Sequence, residues 1–222
     1  AADELERADD FDMALHDFIK RTMSEHRRII FSGNGYSEEW VKEAERRGLP
    51  NLKCGIDSVD SLITDKAIRL FENFGVYTRA ELESRAEIEY ESYAKTVNIE
   101  ARTMIDMAGK QIIPAVIRYT TNLAASLTAV QTACPEADTS VQKELLLEAS
   151  DLLSDMKTAL ARLTEETEKA AKVEGNKERA YAYHDIVTVA MEDLRRPADR
   201  LEMIVDKELW PMPSYGDLIF EV

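Results

Sequence analysis

The sequence predicts an all-α protein: an elongated up-down bundle of long, Pro-kinked antiparallel helices with a small irregular insertion. Three observations predict it. Apolar residues recur at spacings of three and four along most of the chain, which places them on one face of a helix. Glycine and proline are scarce, 8 and 6 among 222 residues, so little forces a helix to stop. The stretches between strong stop signals are long, near 79–133, 138–174 and 177–208. On this basis 1–222 is one helical domain, made of a first helix (1–26), a small insertion (27–77), three long helices (78–209) and an ordered C-terminal tail (210–222).

The first helix runs from about Asp3 to His26. Leu5, Ala8, Phe11, Leu15, Phe18, Ile19 and Met23 share one face. The texture changes at Ile29-Ile30-Phe31, and Gly33-Asn34-Gly35 marks a tight turn. Ser37 caps a short helix carrying Trp40, Val41 and Ala44, which stops at Gly48. Residues 57–74 read as one or two further helical pieces ending at Gly75.

Thr78-Arg79-Ala80-Glu81 is a capping box, in which threonine and glutamate each satisfy the other's backbone N–H. Helix-compatible sequence then runs to Ala133, about 80 Å at about 1.5 Å per residue. Tyr93, Val97, Ala101, Met104, Ala108, Ile112, Val116, Tyr119, Leu123, Leu127 and Val130 trace its seam. Pro114 predicts a kink just before it, because proline removes a hydrogen bond and crowds the preceding turn. The next helix starts around Asp138-Thr139 and runs to about Glu174, with Leu145, Ala149, Leu152, Met156, Leu160, Leu163 and Ala170 as its seam. Gly175-Asn176 reverses the chain into a last helix, Lys177 to Glu208. Its seam is Ala180, His184, Val187, Met191, Leu194, Ala198, Leu201 and Val205, with a kink predicted at Pro197. In the tail, Pro211 and Pro213 argue against helix. The apolar density of Trp210, Tyr215, Leu218, Ile219 and Phe220 says that it packs, on the bundle itself or on the 27–77 insertion in preference to a domain outside these residues.

Composition excludes several function classes. The net charge is −15, which argues against nucleic acid and against anionic membranes, both polyanions. No apolar run approaches the roughly 20 residues needed to span a bilayer. No signal peptide opens the chain, and Cys54 and Cys134 form neither a disulfide framework nor a four-ligand zinc site by themselves. A reducing, cytoplasmic setting is expected. The first residue is Ala rather than Met, which points to a processed product or a piece of something longer.

The residues that carry chemistry elsewhere have plain structural readings here. His16, His26 and His184 lack partners at metal-ligand spacing, and none follows a Glu by three as a di-iron bundle requires. His184 is read as a packed histidine bonded to a neighbouring helix. Gly33-Asn34-Gly35 lacks the third glycine of a dinucleotide loop, and Glu38 and Glu39 would repel phosphate at the helix start, so it is read as a turn. Glu81, Glu83, Glu87, Glu89 and Glu91 spread around the helix with Arg79 and Arg85 among them, a solvated surface rather than a cation site. Arg102, Asp106 and Lys110 form an ion-pair ladder. Glu100, between Val97 and Met104, is read as a buried carboxylate in a structural ion pair. No catalytic, cofactor-binding or metal-binding residue is assigned.

Several stretches taken together are more specific. Ile29-Ile30-Phe31-Ser32-Gly33-Asn34-Gly35-Tyr36-Ser37-Glu38-Glu39-Trp40, continuing through Ala44-Glu45-Arg46-Arg47-Gly48-Leu49-Pro50-Asn51-Leu52, resembles a segment of type III glutamine synthetases. So does Thr96-Val97-Asn98-Ile99-Glu100-Ala101-Arg102-Thr103-Met104-Ile105-Asp106-Met107-Ala108, followed by Ile113-Pro114-Ala115. Trp210-Pro211-Met212-Pro213-Ser214-Tyr215-Gly216-Asp217-Leu218 looks like that family's ending. The resemblance keeps its order over nearly the whole chain. It departs at the glycine turn, where the family pattern has Asn at position 32 and Asp at position 34.

The resemblance implies the C-terminal helical region of such an enzyme. The whole enzyme joins ammonia to glutamate with ATP and Mg or Mn, in ring-shaped homo-oligomers. Its metal, ATP and glutamate ligands lie in upstream motifs absent from these residues, so this region is expected to bind no cofactor and to be inactive alone. Its implied partners are the upstream catalytic domain of the same chain and neighbouring subunits, with no nucleic acid and no membrane. A self-standing acidic helical-bundle adaptor is the alternative that the residues alone leave open.

Overall fold

The computed structural model describes residues 1–213 and 215–220. Among them every regular element is helical and none is a strand, as the periodicity requires. The chain divides into two compact units, Ala1–Asp57 and Ser58–Val222, and the division falls within the 27–77 stretch.

The first unit holds α1 (Ala2–Leu5), α2 (Phe11–Glu25), a 3-10 turn (Arg27–Ile29) and α3 (Glu38–Arg46). The single helix expected over residues 3–26 is therefore broken. Asp10 is the reason: its backbone is extended and its carboxylate accepts the N–H of Met13 at 3.0 Å. A side chain that caps one helix cannot also continue another. The Arg21 guanidinium grips Glu4 with two bonds of 2.9 and 2.7 Å, tying α1 to α2. No residue of α2 is buried. Its apolar stripe exists, but Phe11, Ile19 and Met23 remain 55%, 51% and 54% exposed. Ser37 caps α3 by accepting the Trp40 N–H at 3.3 Å, and Gly48 ends it at φ +69°. α4 (Gly55–Leu62) carries the chain from one unit into the other.

In the second unit α5 (Asp65–Asn73) is capped by Thr64, and the left-handed Gly75 (φ +64°) closes it. Three rods follow. The first is α6 (Arg79–Met107), a π-helical turn (Ala108–Ile112) and α7 (Ile113–Ala133). The second is α8 (Ser140–Ala170). The third is α9 (Asn176–Ala182), a second π turn (Tyr183–Val187) and α10 (Thr188–Glu202). The Thr78–Glu81 capping box starts the first rod as expected. α8 packs on α7 and α10, while α6 packs on α9. Short links at 134–139 and 171–175 make successive rods antiparallel.

The first π turn stands where a kink is expected. Ile113 donates to the carbonyl of Ala108, five residues back. Pro114 has no N–H and its ring crowds the carbonyl before it, so a wider turn relieves both problems. A second π turn, where Thr188 donates to Tyr183, lies in the third rod. Tyr183 is buried and His184 lies off the expected seam. The buried row is Ala180, Tyr183, Val187, Ala190, Leu194, Pro197 and Leu201.

Helix ends also differ from the sequence expectation. α8 stops at Ala170 rather than near 174, and α10 stops at Glu202 rather than 208, because the Met203 and Ile204 N–H groups turn back to Arg200 and Leu201. The tail contains a short helix, α11 (Tyr215–Phe220), where none was expected. Pro211 and Pro213 lie before it, so the N–H groups it needs are intact. Leu218 and Phe220 are 66% and 81% exposed, so this end of the tail does not pack as expected. Ser214, Glu221, Val222 and the side chain of Tyr215 lie outside the described residues.

Candidate functional site

In the first unit, the stretch that carries the family resemblance is organised by Arg47. Its Nη1 donates to the carbonyls of Arg28 (3.2 Å) and Ile30 (2.8 Å), and its Nε donates to Glu43 at 2.5 Å. Its guanidinium also lies over the rings of Phe31 (6.0 Å) and Trp40 (5.6 Å), which stack on each other at 4.1 Å. One half-buried side chain thus fastens the segment 28–31 to α3. Gly33 lies close under this stack: a Cβ there would lie 2.5 Å from the Phe31 ring, which would have to shift. Glu43 receives both Arg46 and Arg47, and their hydrogen bonds pull its carboxyl down to about 2. The turn itself closes through the Asn34 side chain, which accepts the Tyr36 N–H at 3.0 Å. It is a turn, as expected, and not a phosphate loop.

The second unit has its own polar clamp. Asp60 on α4 accepts two bonds from Lys177 (2.7 and 2.6 Å) and one from the buried Tyr90 hydroxyl at 2.7 Å. The Lys177 and Tyr90 bonds hold the Asp60 carboxyl below its ordinary value of 3.8. Burial, and then the Asp60 carboxylate, push the Tyr90 hydroxyl up. The clamp joins α4, α6 and α9. Its chemistry is that of a fixed ion pair, because every group is engaged by another of the three.

In the second unit, Met104, Met107, Ala108, Ile112, Met156 and Leu194 line a partly open apolar pocket of about 160 Å³, with Arg195 and Met212 of the tail also in its lining. Ala108 and Ile112 of the first π turn are part of its lining. Trp210, just ahead of Met212, buries its indole N–H with no acceptor among the described residues.

The residues weighed from sequence fall as follows. Glu100 is exposed, not buried. The buried stripe of α6 runs Leu82, Ala86, Tyr90, Ala94, Val97, Ala101, stepping mostly by four, and position 100 falls outside it. His184 bonds the adjacent Asp185 at 2.7 Å rather than another helix, although the ring of Tyr93 on α6 lies 6.2 Å away. The ladder forms only in half: Lys110 pairs with Asp106, while Arg102 turns to Asn98 at 3.0 Å. The acidic run is a solvated surface, with Glu83 near Arg79, Glu91 on Lys95 and Glu87 bonded to Asn176. Among the described residues no three His, Cys, Asp or Glu side chains gather as a metal site needs, and no helix is long and apolar enough to cross a membrane. Arg47, Asp60 and Lys177 were missed from sequence. Arg47 at least sits inside the resemblance, whereas Asp60 and Lys177 are 117 positions apart and leave no local signal.

Among the described residues both units are all-helical. Comparison with known proteins gives the family: residues 14–131 match the glutamine synthetase C-terminal domain, and the chain belongs to that family. It is 32% identical over 214 residues to a glutamine synthetase of Butyrivibrio fibrisolvens, and 35% identical over 216 residues to one of Bacteroides fragilis (strain YCH46). It is 30% identical over 217 residues to a type-3 glutamine synthetase of Dictyostelium discoideum. These matches cover 93–96% of this chain but only 29–31% of each relative.

Proposed function

We propose that the chain is the non-catalytic C-terminal helical region of a type III glutamine synthetase, with a structural role. In this proposal the upstream catalytic domain of the same chain ligates ammonia to glutamate in the cytoplasm, using ATP and Mg or Mn. The helical region packs beside that domain and takes part in assembly of the homo-oligomer. The observation that carries the proposal is α2. A helix with a continuous apolar stripe and no buried residue is unusual for a surface that meets only water, because apolar area of this kind is normally covered. Relatives about three times as long supply a natural cover.

Two measurements test it. Coupled ADP-release assays on the 222-residue chain with glutamate, ammonia, ATP and Mg²⁺ or Mn²⁺ should show no turnover, and turnover surviving repurification would overturn the non-catalytic role. Ile19→Asp with Met23→Asp should leave the melting of this chain almost unchanged, since both side chains are already solvated. The same pair should destabilise the full-length synthetase or shift its assembly state. An unaltered full-length enzyme would show that α2 is not a packing face.

A further inference from the structure

The first unit contains a basic cleft that the packing role does not use. Arg27, Arg28, Ile30, Ser32, Arg46 and Arg47 line about 500 Å³ between the 3-10 turn and the end of α3. The lining carries four guanidinium groups and no carboxylate. Glu43, behind Arg46 and Arg47, offsets one of them. Arg27 and Arg28 pair with no carboxylate among the described residues. A surplus of positive charge is thus concentrated in one cleft of a chain whose net charge is −15.

The cleft is also braced before any ligand arrives. Arg47 is committed to the carbonyls of Arg28 and Ile30 and to the Phe31–Trp40 stack, which fixes one wall against the other. Arg46 is held at its base by a two-bond fork to Glu43, both 2.7 Å. Arg27 and Arg28 are therefore the free donors, with the Ser32 hydroxyl beside them. Planar guanidinium forks match the oxygen spacing of phosphate and engage it with two bonds at a time.

We propose that this cleft is a binding site for a compact oligophosphate group of a small molecule. A single phosphate can match only one or two of these guanidinium forks. A long polyanion such as nucleic acid would have to run past Glu25, Glu38, Glu39 and Glu45, which flank the cleft in sequence and repel it. Two or three linked phosphates carry enough oxygens and negative charge to engage Arg27, Arg28 and Arg46 together. The site stands independently of the packing role of α2.

Isothermal titration calorimetry on the 222-residue chain in phosphate-free buffer, with inorganic pyrophosphate as the probe, tests it. Pyrophosphate should bind one-to-one, and more weakly as salt screens the charges. Arg27→Gln with Arg28→Gln should weaken binding by at least about tenfold, a loss of about 1.4 kcal/mol of binding free energy. These side chains are exposed and unpaired, and circular dichroism checks that the variant remains folded. Lys157→Gln, in the second unit, should bind as the parent does. Absence of binding, an unchanged affinity in the double arginine variant, or an equal loss in the lysine variant would each overturn the site. Citrate binding as tightly as pyrophosphate would overturn its assignment to phosphate.

Discussion

Truncating Leu194 to alanine probes the core of the second unit at its centre. Leu194 is 2% exposed and lies in the buried row of α10, facing Met156 of α8 and Met104 of α6 across the apolar pocket. The substitution removes three carbons, worth about 2.4 kcal/mol at about 0.8 kcal/mol each. A further amount depends on how much of the new void survives, at about 24 cal/mol per Å³. Here two effects oppose. The existing pocket of about 160 Å³ gives the neighbours no firm wall to collapse onto. Yet three of those neighbours are Met104, Met107 and Met156, flexible thioethers that swing into free space more readily than branched side chains. The flexible lining limits the second contribution to about 1 kcal/mol, so the total should be about 3 kcal/mol. In a unit of this size that lowers the melting temperature by about 6–12 °C. Urea melts followed by far-UV circular dichroism measure it, with Leu194→Met as the volume-conserving control at under about 1.5 kcal/mol. A loss under about 1 kcal/mol, with an unchanged denaturant slope, would refute the placement of Leu194 in a packed core.

The Asp60–Lys177 pair should give the second unit an acid-sensitive increment of stability. Because the folded carboxyl is held below its ordinary value of 3.8, the increment is present above that value and is lost as pH falls through the lowered folded value. Lys177→Met should therefore cost up to about 1 kcal/mol near neutrality, since both side chains are nearly half exposed, and the difference should shrink as acid protonates the Asp60 carboxylate. An equal difference at all pH values in urea melts would refute the pairing. Arg47→Lys should destabilise the first unit by about 2 kcal/mol, because an ammonium cannot reach two carbonyls and Glu43 while stacking on two rings. Trp40 emission in a Trp210→Phe background follows the unfolding, and a cost under about 0.5 kcal/mol would show that Arg47 is not the fastener.

Much of this architecture is legible in sequence, for reasons that differ by element. Local chemistry is read well: the Thr78–Glu81 box, the Ser37 cap and the stops at Gly48 and Gly75 all form as written, since each depends on atoms a few residues apart. The seam of α8 is also correct from Ala149 to Ala170, because an unbroken helix keeps its phase. The third rod is harder. Tyr183 rather than His184 is buried there, and since steps of three-then-four and four-then-three both join Ala180 to Val187, the pattern does not choose between these neighbours. α2 shows the opposite limit. Its amphipathic pattern is real, but pattern alone does not say what covers it, and none of its apolar residues is buried. Of the polar sites, Arg47 draws its partners from a span of 20 positions, whereas the Asp60 clamp closes over 117. Nothing in the sequence near Asp60 identifies Lys177 as its partner.

The central claim is that α2 packs against the rest of a longer synthetase, and amide hydrogen exchange tests it most directly. In the 222-residue chain, with no buried residue on α2, the amides of residues 11–25 should exchange rapidly compared with those of α8. In the full-length synthetase the same amides should be protected by at least about tenfold, while those of α8 change little. Equal exchange of residues 11–25 in the two proteins would contradict the account.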